Sequence, residues 1–264
     1  MFVTYRITYL LETVILLVVS LVFSYGFTKP NEAIRPSLVA DKITVSADSN
    51  INSTVIPQMV PDVTIPPVVN GLAPLIINLP TNQKVVFLGI DDGGYKRADE
   101  IKLLTRQHIK ASLFLSQLFI KSNPSFFKPL IDQGSLVENH TISHDLLSKL
   151  SYDQQKQEIC SEADLQMQQF GRRPSLFRPP GGDYNLDTQR AAAACGMRAV
   201  VLWIAKANGG SMQYQVGNSL RPGDVVLMHF RPEFAADVAA FVAAQNAAGL
   251  HTELLENWLP STDL

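Results

Sequence analysis

Two adjacent carboxylates, Asp91 and Asp92, end an almost unbroken apolar run from Val85 to Ile90 and are followed by Gly93 and Gly94. Such a run suits a strand buried on both faces, as in a parallel sheet covered by helices. Carboxylates at its end cost desolvation energy unless a cation or hydrogen-bond donors meet them. The glycines let the chain turn so that both acids face one site. Alone, the pair reads equally as an Asp-Gly turn after a core strand. Farther on, His140-Thr141-Ile142-Ser143-His144 spaces two imidazoles so that one helical turn would put both on one side. Imidazole is the commonest neutral metal ligand, and Asp92 adds a hard oxygen. Together they make a three-ligand site with open positions for water or substrate.

Two further groups could work beside these ligands. Arg178 lies in Phe177-Arg178-Pro179-Pro180-Gly181-Gly182, where the prolines fix the backbone and the glycines then free it. An arginine beside a buried carboxylate keeps that carboxylate ionised and oriented, as a general base requires. His229 ends the apolar run Val225-Val226-Leu227-Met228, and a histidine there can donate a proton near neutral pH. A lone His-x-x-x-His is more often a pair of surface histidines, but three of the five histidines fall into this constellation. His108 and His251 have no such company and read as ordinary structural or surface residues.

The elements that must position these residues alternate apolar strands with amphipathic stretches, the pattern of an α/β fold built from βα units. Strands are expected at Val85 to Ile90, Ala111 to Leu118, Ser135 to Asn139, Leu176 to Arg178, Ala199 to Ile204, Val225 to Phe230 and His251 to Leu255. Helices are expected near Lys96 to Gln107, Pro124 to Gln133, Tyr152 to Phe170, Leu186 to Cys195 and Glu233 to Ala248. About seven strands with interleaved helices suit a closed or nearly closed barrel, although a doubly wound open sheet alternates in the same way. The polar residues fall at the ends of four separate strands, where the loops of a parallel barrel converge on one face.

The chain has 264 residues, 46% of them hydrophobic, enough for a sizeable core. A net charge of -2 with no long basic run argues against a nucleic-acid partner and suits a neutral or carbohydrate one. Residues 1–27 carry an apolar run that fits an uncleaved membrane anchor, or alternatively a signal peptide with its short apolar region at Thr13 to Phe23. Either way the remainder is exported. Residues 28–83 are punctuated by prolines among Asn, Ser, Thr and Val and read as an extracytoplasmic stalk, with Gly71 to Pro80 packing on the domain. The domain itself is expected over 84–264. Cys160 and Cys195 fall in two expected helices. Whether they pair is left open, since adjacent helices seldom bring a chosen pair of Cα atoms within about 7 Å.

With these residues assembled, the sequence resembles the polysaccharide deacetylases of the NodB-homology type, carbohydrate esterase family 4. The resemblance spans about Lys84 to Leu259 and rests on four motifs: Ile90-Asp91-Asp92-Gly93, the His140 to His144 segment, Arg178-Pro179-Pro180-Gly181-Gly182, and Leu227-Met228-His229. It implies a distorted (β/α) barrel, a divalent metal that is zinc or else cobalt, and an acetylated glycan as substrate of a monomeric domain. It also implies roles: Asp91 as general base, Asp92, His140 and His144 as metal ligands, Arg178 as the partner that orients the base, and His229 as general acid. Gly181, near the oxyanion, and Leu227 would contact the glycan, and Trp203 reads either as a wall of the sugar pocket or as core packing. The chain departs from the family at the fourth of its five motifs, an Asp-x-x-Asp-Trp pattern whose acid normally pairs with the arginine. From Arg198 to Gly210, around Trp203, there is no acidic residue.

Three other readings compete. A glycosidase needs its two carboxylates about 5 to 9.5 Å apart across a sugar, which adjacent residues do not easily span. A two-His-one-carboxylate iron oxygenase has the right ligands but gives Asp91, Arg178 and His229 no task. A carbohydrate-binding relative that has lost turnover fits the missing fourth motif.

Overall fold

The computed structural model describes residues 60–259. The expected anchor at 1–27 and the Pro-rich stretch as far as 59 lie outside the described residues. Among the described residues no helix is long and apolar enough to cross a membrane.

Among the described residues ten strands run in chain order as β1 Leu75–Ile76, β2 Val85–Asp92, β3 Ser112–Leu115, β4 Leu136–Asn139, β5 Leu176–Phe177, β6 Ala199–Val201, β7 Ala205–Ala207, β8 Met212–Tyr214, β9 Val225–His229 and β10 His251–Glu253. The helices are α1 Ala98–Arg106, α2 Gln117–Ile120, α3 Lys128–Asp132, α4 Tyr152–Phe170, α5 Leu186–Ala194 and α6 Phe234–Ala247. They build one sheet of order β1-β6-β5-β4-β3-β2-β9-β7-β8, with β10 beside the start of β2. Its strand pairings are parallel except that of β7 with β8. The edge strands β1 and β8 do not pair with each other, so the sheet is a distorted barrel left open along one side.

Alternation along β2 shows how the barrel is filled. Val86, Leu88 and Ile90 face outward into a core shared with α1, α3 and α6, whereas Val85 and Phe87 face inward with Phe114, Leu176, Val201 and Trp258. Gly89 and Asp91 follow the inward set. A third apolar cluster seats α4 and α5 over β5 and β6.

Three expectations need correction. The run Ala199 to Ile204 is not one strand: β6 ends at Val201, and Leu202 to Ile204 carry the chain across the open side to β7, which pairs with β9. The run Ala111 to Leu118 is shorter than expected, because Gln117 already belongs to α2. The packed body also begins well before Lys84. Ile65, Ala73, Ile76 and Leu79 are buried, β1 pairs with β6, and the Ile65 N–H donates to the Trp258 carbonyl at 2.6 Å. The burial of Ala73, Ile76 and Leu79 agrees with the expected packing of Gly71 to Pro80, whereas Ile65 extends the packed body beyond it, since prolines fix extended backbone without preventing it from lying along a core.

Cys160 and Cys195 form a disulfide, with Cα atoms 4.8 Å apart. Cys195 is the C-cap of α5, where the chain is already leaving the helix, so the geometry is not that of two helical positions side by side.

Candidate active site

The sheet brings the singled-out residues to the C-terminal ends of four strands. Asp91 and Asp92 end β2, His140 follows β4, Arg178 follows β5, and His229 ends β9 in register with Asp91. Asp92 has φ 72°, which turns its side chain away from the alternation of β2. Gly93 follows with φ 77°, and a β-carbon there would come within 2.7 Å of Ile120 and 2.9 Å of Phe127. The tight turn after the two acids therefore needs glycine for conformation and for space.

The two carboxylates keep different company. Asp91 is buried, and its Oδ1 accepts a bond from Arg178 Nη1 at 2.6 Å. Asp92 Oδ1 lies 3.4 Å from His140 Nε2 and 3.1 Å from His144 Nε2. His140 Nδ1 is 2.6 Å from the Arg178 carbonyl, which can only accept, so Nδ1 carries the proton and Nε2 presents a lone pair. Burial works against the charged form of Asp92. In their protonated forms the imidazoles of His140 and His144, with His229 beyond them, outweigh it and hold this carboxyl far below the usual carboxylate range. The Asp92 carboxylate beside it in turn raises the His144 imidazole, against a smaller opposing effect of burial.

A cation fits this arrangement. The donor atoms of Asp92, His140 and His144 lie within 4.8 Å of one another, and Asp92 Oδ1 is buried without a hydrogen-bond partner. A carboxylate oxygen facing an imidazole lone pair is repulsive unless a positive charge lies between them. Two imidazoles and one carboxylate are a donor set suited to a divalent transition metal, with coordination positions left over.

The histidines do not share a helical turn, contrary to the expectation from their spacing. They lie in an irregular loop in which Thr141 and His144 have φ of 67° and 62°. Left-handed backbone at such residues costs on the order of 1–3 kcal/mol each and persists only where surrounding bonds over-determine it. The loop instead reverses direction and aims both rings at Asp92, their centroids 5.0 Å apart.

Arg178 is fully buried, and its partners account for the missing acid of the fourth motif. Nε donates to the Val201 carbonyl at 3.1 Å and Nη2 to the Leu202 carbonyl at 3.4 Å. These carbonyls are free to accept because β6 ends there and the chain crosses the open side of the barrel. The guanidinium also lies over the Phe114 ring at 4.1 Å, with Trp203 at 5.9 Å. Trp203 reaches the loop after β5, where a β-carbon at Gly182 would come within 3.0 Å of the indole. Gly181 occupies the same loop with φ 63°, and Leu227 is buried on β9, two residues before His229.

A family model for polysaccharide deacetylase matches residues 78–200. An uncharacterized protein of Streptomyces coelicolor is 34% identical over 194 residues, covering 71% of this chain and 78% of that protein. The chain belongs to the polysaccharide deacetylase family. A peptidoglycan-N-acetylglucosamine deacetylase of Bacillus cereus, also similar, is 28% identical over 161 residues, 57% of this chain and 75% of that one. Among solved structures, a CE4-family pseudoenzyme from Bacillus anthracis shares the fold at a TM-score of 0.61 and 19% identity, covering 70% of this chain and 68% of that one.

Several residues of this polysaccharide deacetylase domain escaped the sequence reading. Glu158, on α4, accepts the N–H groups of Ile142 and Ser143 in the histidine loop. Asn139 accepts the Thr141 N–H and donates to the Ile159 carbonyl. Neither falls in a motif, since glutamate on a long polar helix has no local signature. Gly89, a glycine inside an apolar strand, did carry a signal of close approach by another group.

Proposed function

We propose that this chain is a metal-dependent deacetylase that removes N-acetyl groups from an extracellular or cell-surface polysaccharide, peptidoglycan or a chitin-like polymer, releasing acetate. The observation that carries the reading is the division between neighbours: Asp92 faces two imidazoles at 3.4 and 3.1 Å, while Asp91 is held by Arg178 at 2.6 Å. One carboxylate is thereby set to ligate and the other to accept a proton.

A divalent ion held by Asp92, His140 and His144, zinc or cobalt in its place, would supply Lewis acidity toward the acetyl carbonyl and lower the pKa of nearby water. Asp91 accepts the proton of the attacking water, and Arg178, bonded to Oδ1, orients the carboxylate so that its other oxygen can take it. His229 gives a proton to the amine nitrogen as the C–N bond breaks. A backbone N–H of the loop at Gly181 offers a hydrogen bond to the developing oxyanion. Trp203 and Leu227 line the sugar. Similarity to the peptidoglycan-N-acetylglucosamine deacetylase of Bacillus cereus supports peptidoglycan as a substrate class.

The domain, whose buried side chains begin at Ile65, is proposed to work outside the cytoplasm as a monomer. Residues 1–27 would hold it to the membrane or be cleaved as a signal. The Cys160–Cys195 disulfide supports an oxidising compartment.

The experiment is acetate release from several acetylated glycans by the zinc- or cobalt-loaded protein. Asp91→Asn should keep metal and fold yet lose nearly all turnover, and replacing His229 should cut the rate by roughly 10² to 10⁴. A second reading, a carbohydrate-binding relative without turnover, is favoured by the absent acidic fourth motif and by the pseudoenzyme of the same fold. It wins if wild type releases no more acetate than Asp91→Asn on every glycan yet binds one of them.

A further inference from the structure

The loop that joins the two histidine ligands is held from behind by a residue that touches neither the candidate metal position nor any group given a chemical role. Within the loop and its parent strand, Asn139 Oδ1 accepts the Thr141 N–H and Thr141 Oγ1 accepts the His144 N–H, each at 3.1 Å. The remaining support comes from another element. Glu158 Oε2, on α4, accepts the N–H of Ile142 at 3.0 Å and that of Ser143 at 2.8 Å. One carboxylate oxygen thus gathers two successive backbone donors at the middle of the loop, between its two left-handed residues, Thr141 and His144.

Glu158 is itself well anchored. Helix α4 starts in a capping box between Ser151 and Gln154. The next residue after Glu158, Ile159, accepts a bond from Asn139 Nδ2 at 2.8 Å, and the one after that, Cys160, is tied to Cys195. The oxygen that holds the loop is therefore fixed to β4 and to α5.

We propose that Glu158 is a positioning residue for the cation site: by holding the Ile142 and Ser143 N–H groups it sets the path of the loop, and so brings His144 Nε2 opposite Asp92 and beside His140. The inference rests on the metal-site reading above. Outer groups that orient ligands of this kind typically govern about 10- to 100-fold in metal affinity.

The test is zinc affinity by competition with a chromophoric chelator, together with the absorption spectrum of the cobalt-substituted protein and the melting temperature of the metal-free protein. Glu158→Ala should bind zinc about 10- to 100-fold more weakly than wild type. Its cobalt spectrum should shift toward that of His144→Ala. Glu158→Gln keeps an amide oxygen that can accept both N–H bonds, and should stay within a few-fold of wild type. Glu158→Asp withdraws the acceptor by one methylene and should fall between the two, which gives a second measure if Glu158→Ala does not fold. A purely structural role would lower the melting temperature of the metal-free protein and leave zinc affinity and the cobalt spectrum unchanged, overturning the inference. Equal losses in Glu158→Ala and Glu158→Gln would assign the effect to charge and overturn it as well. If wild type itself binds no zinc or cobalt, the metal-site reading fails first and takes this inference with it.

Discussion

Gly89 lies directly against the guanidinium of Arg178: a β-carbon at position 89 would come within 2.4 Å of Nη1 and 2.6 Å of Nη2. The guanidinium cannot swing aside, because Asp91 and the Val201 carbonyl hold it in a fully buried position. Gly89→Ala should therefore cost about 1–3 kcal/mol from overpacking and reduce turnover by disturbing the Arg178–Asp91 pair. Zinc content should be retained, since Asp92 and the histidines do not move. A stability change within about 0.5 kcal/mol, as at an ordinary surface position, with full activity would show that the guanidinium has room.

The disulfide closes a loop between residues 35 apart in sequence. Chain-entropy arguments give such a loop roughly 3–4 kcal/mol, so the double variant Cys160→Ala with Cys195→Ala should lose stability of that order in urea unfolding. Thiol titration of the unfolded, non-reduced wild-type protein should find none of its two cysteines free.

Glu162 on α4 is fully buried, and its Oε2 has no hydrogen-bond partner. Burial pushes its carboxyl up to about 8, only partly opposed by the bond from Gln166. The folded state therefore keeps this proton while the unfolded chain releases it above about 4.5. Its stabilising effect is complete below that pH and is lost as pH rises toward 8. Each pH unit in that window removes up to about 1.4 kcal/mol. Glu162→Gln should flatten the fall in stability between pH 5 and 8 measured on the metal-free protein, and an unchanged slope would contradict the assignment.

A chain beginning at Val60 should fold as a stable domain, whereas one beginning at Lys84 should not. The shorter chain loses the buried side chains of Ile65, Ile76 and Leu79, worth about 1.5–3 kcal/mol apiece. It also uncovers the inner core they complete. Equal melting temperatures for the two chains would show the N-terminal arm to be dispensable.

The parts legible in sequence are those where chemistry and hydrophobic pattern coincide. The buried strand that ends in Asp91 and Asp92 announced itself because acids do not otherwise follow such a run. The same holds for His229 after Met228. The break between Val201 and Ala205 was hidden, because an apolar run looks alike whether it continues one strand or crosses between two. The partners of Arg178 were hidden more deeply. An acid absent from the motif is visible as a missing letter, whereas the carbonyls of Val201 and Leu202 that meet the guanidinium belong to every residue alike. The path of the His140–His144 loop was misjudged because left-handed threonine and histidine are rare, and nothing local demands them.

The arm at residues 60–82 also bears on the order in which the molecule can be completed. Ile65 donates to Trp258, Ala73 to Gln189, Leu79 to Gly223, and β1 pairs with β6. The first part of the domain to leave the ribosome thus finds its partners only among the later ones, the last of them at residue 258. Contacts of such wide sequence separation are slow to form. The arm is made early and seated late, and until Trp258 emerges the inner face of the barrel stays open to chaperones or to misassociation.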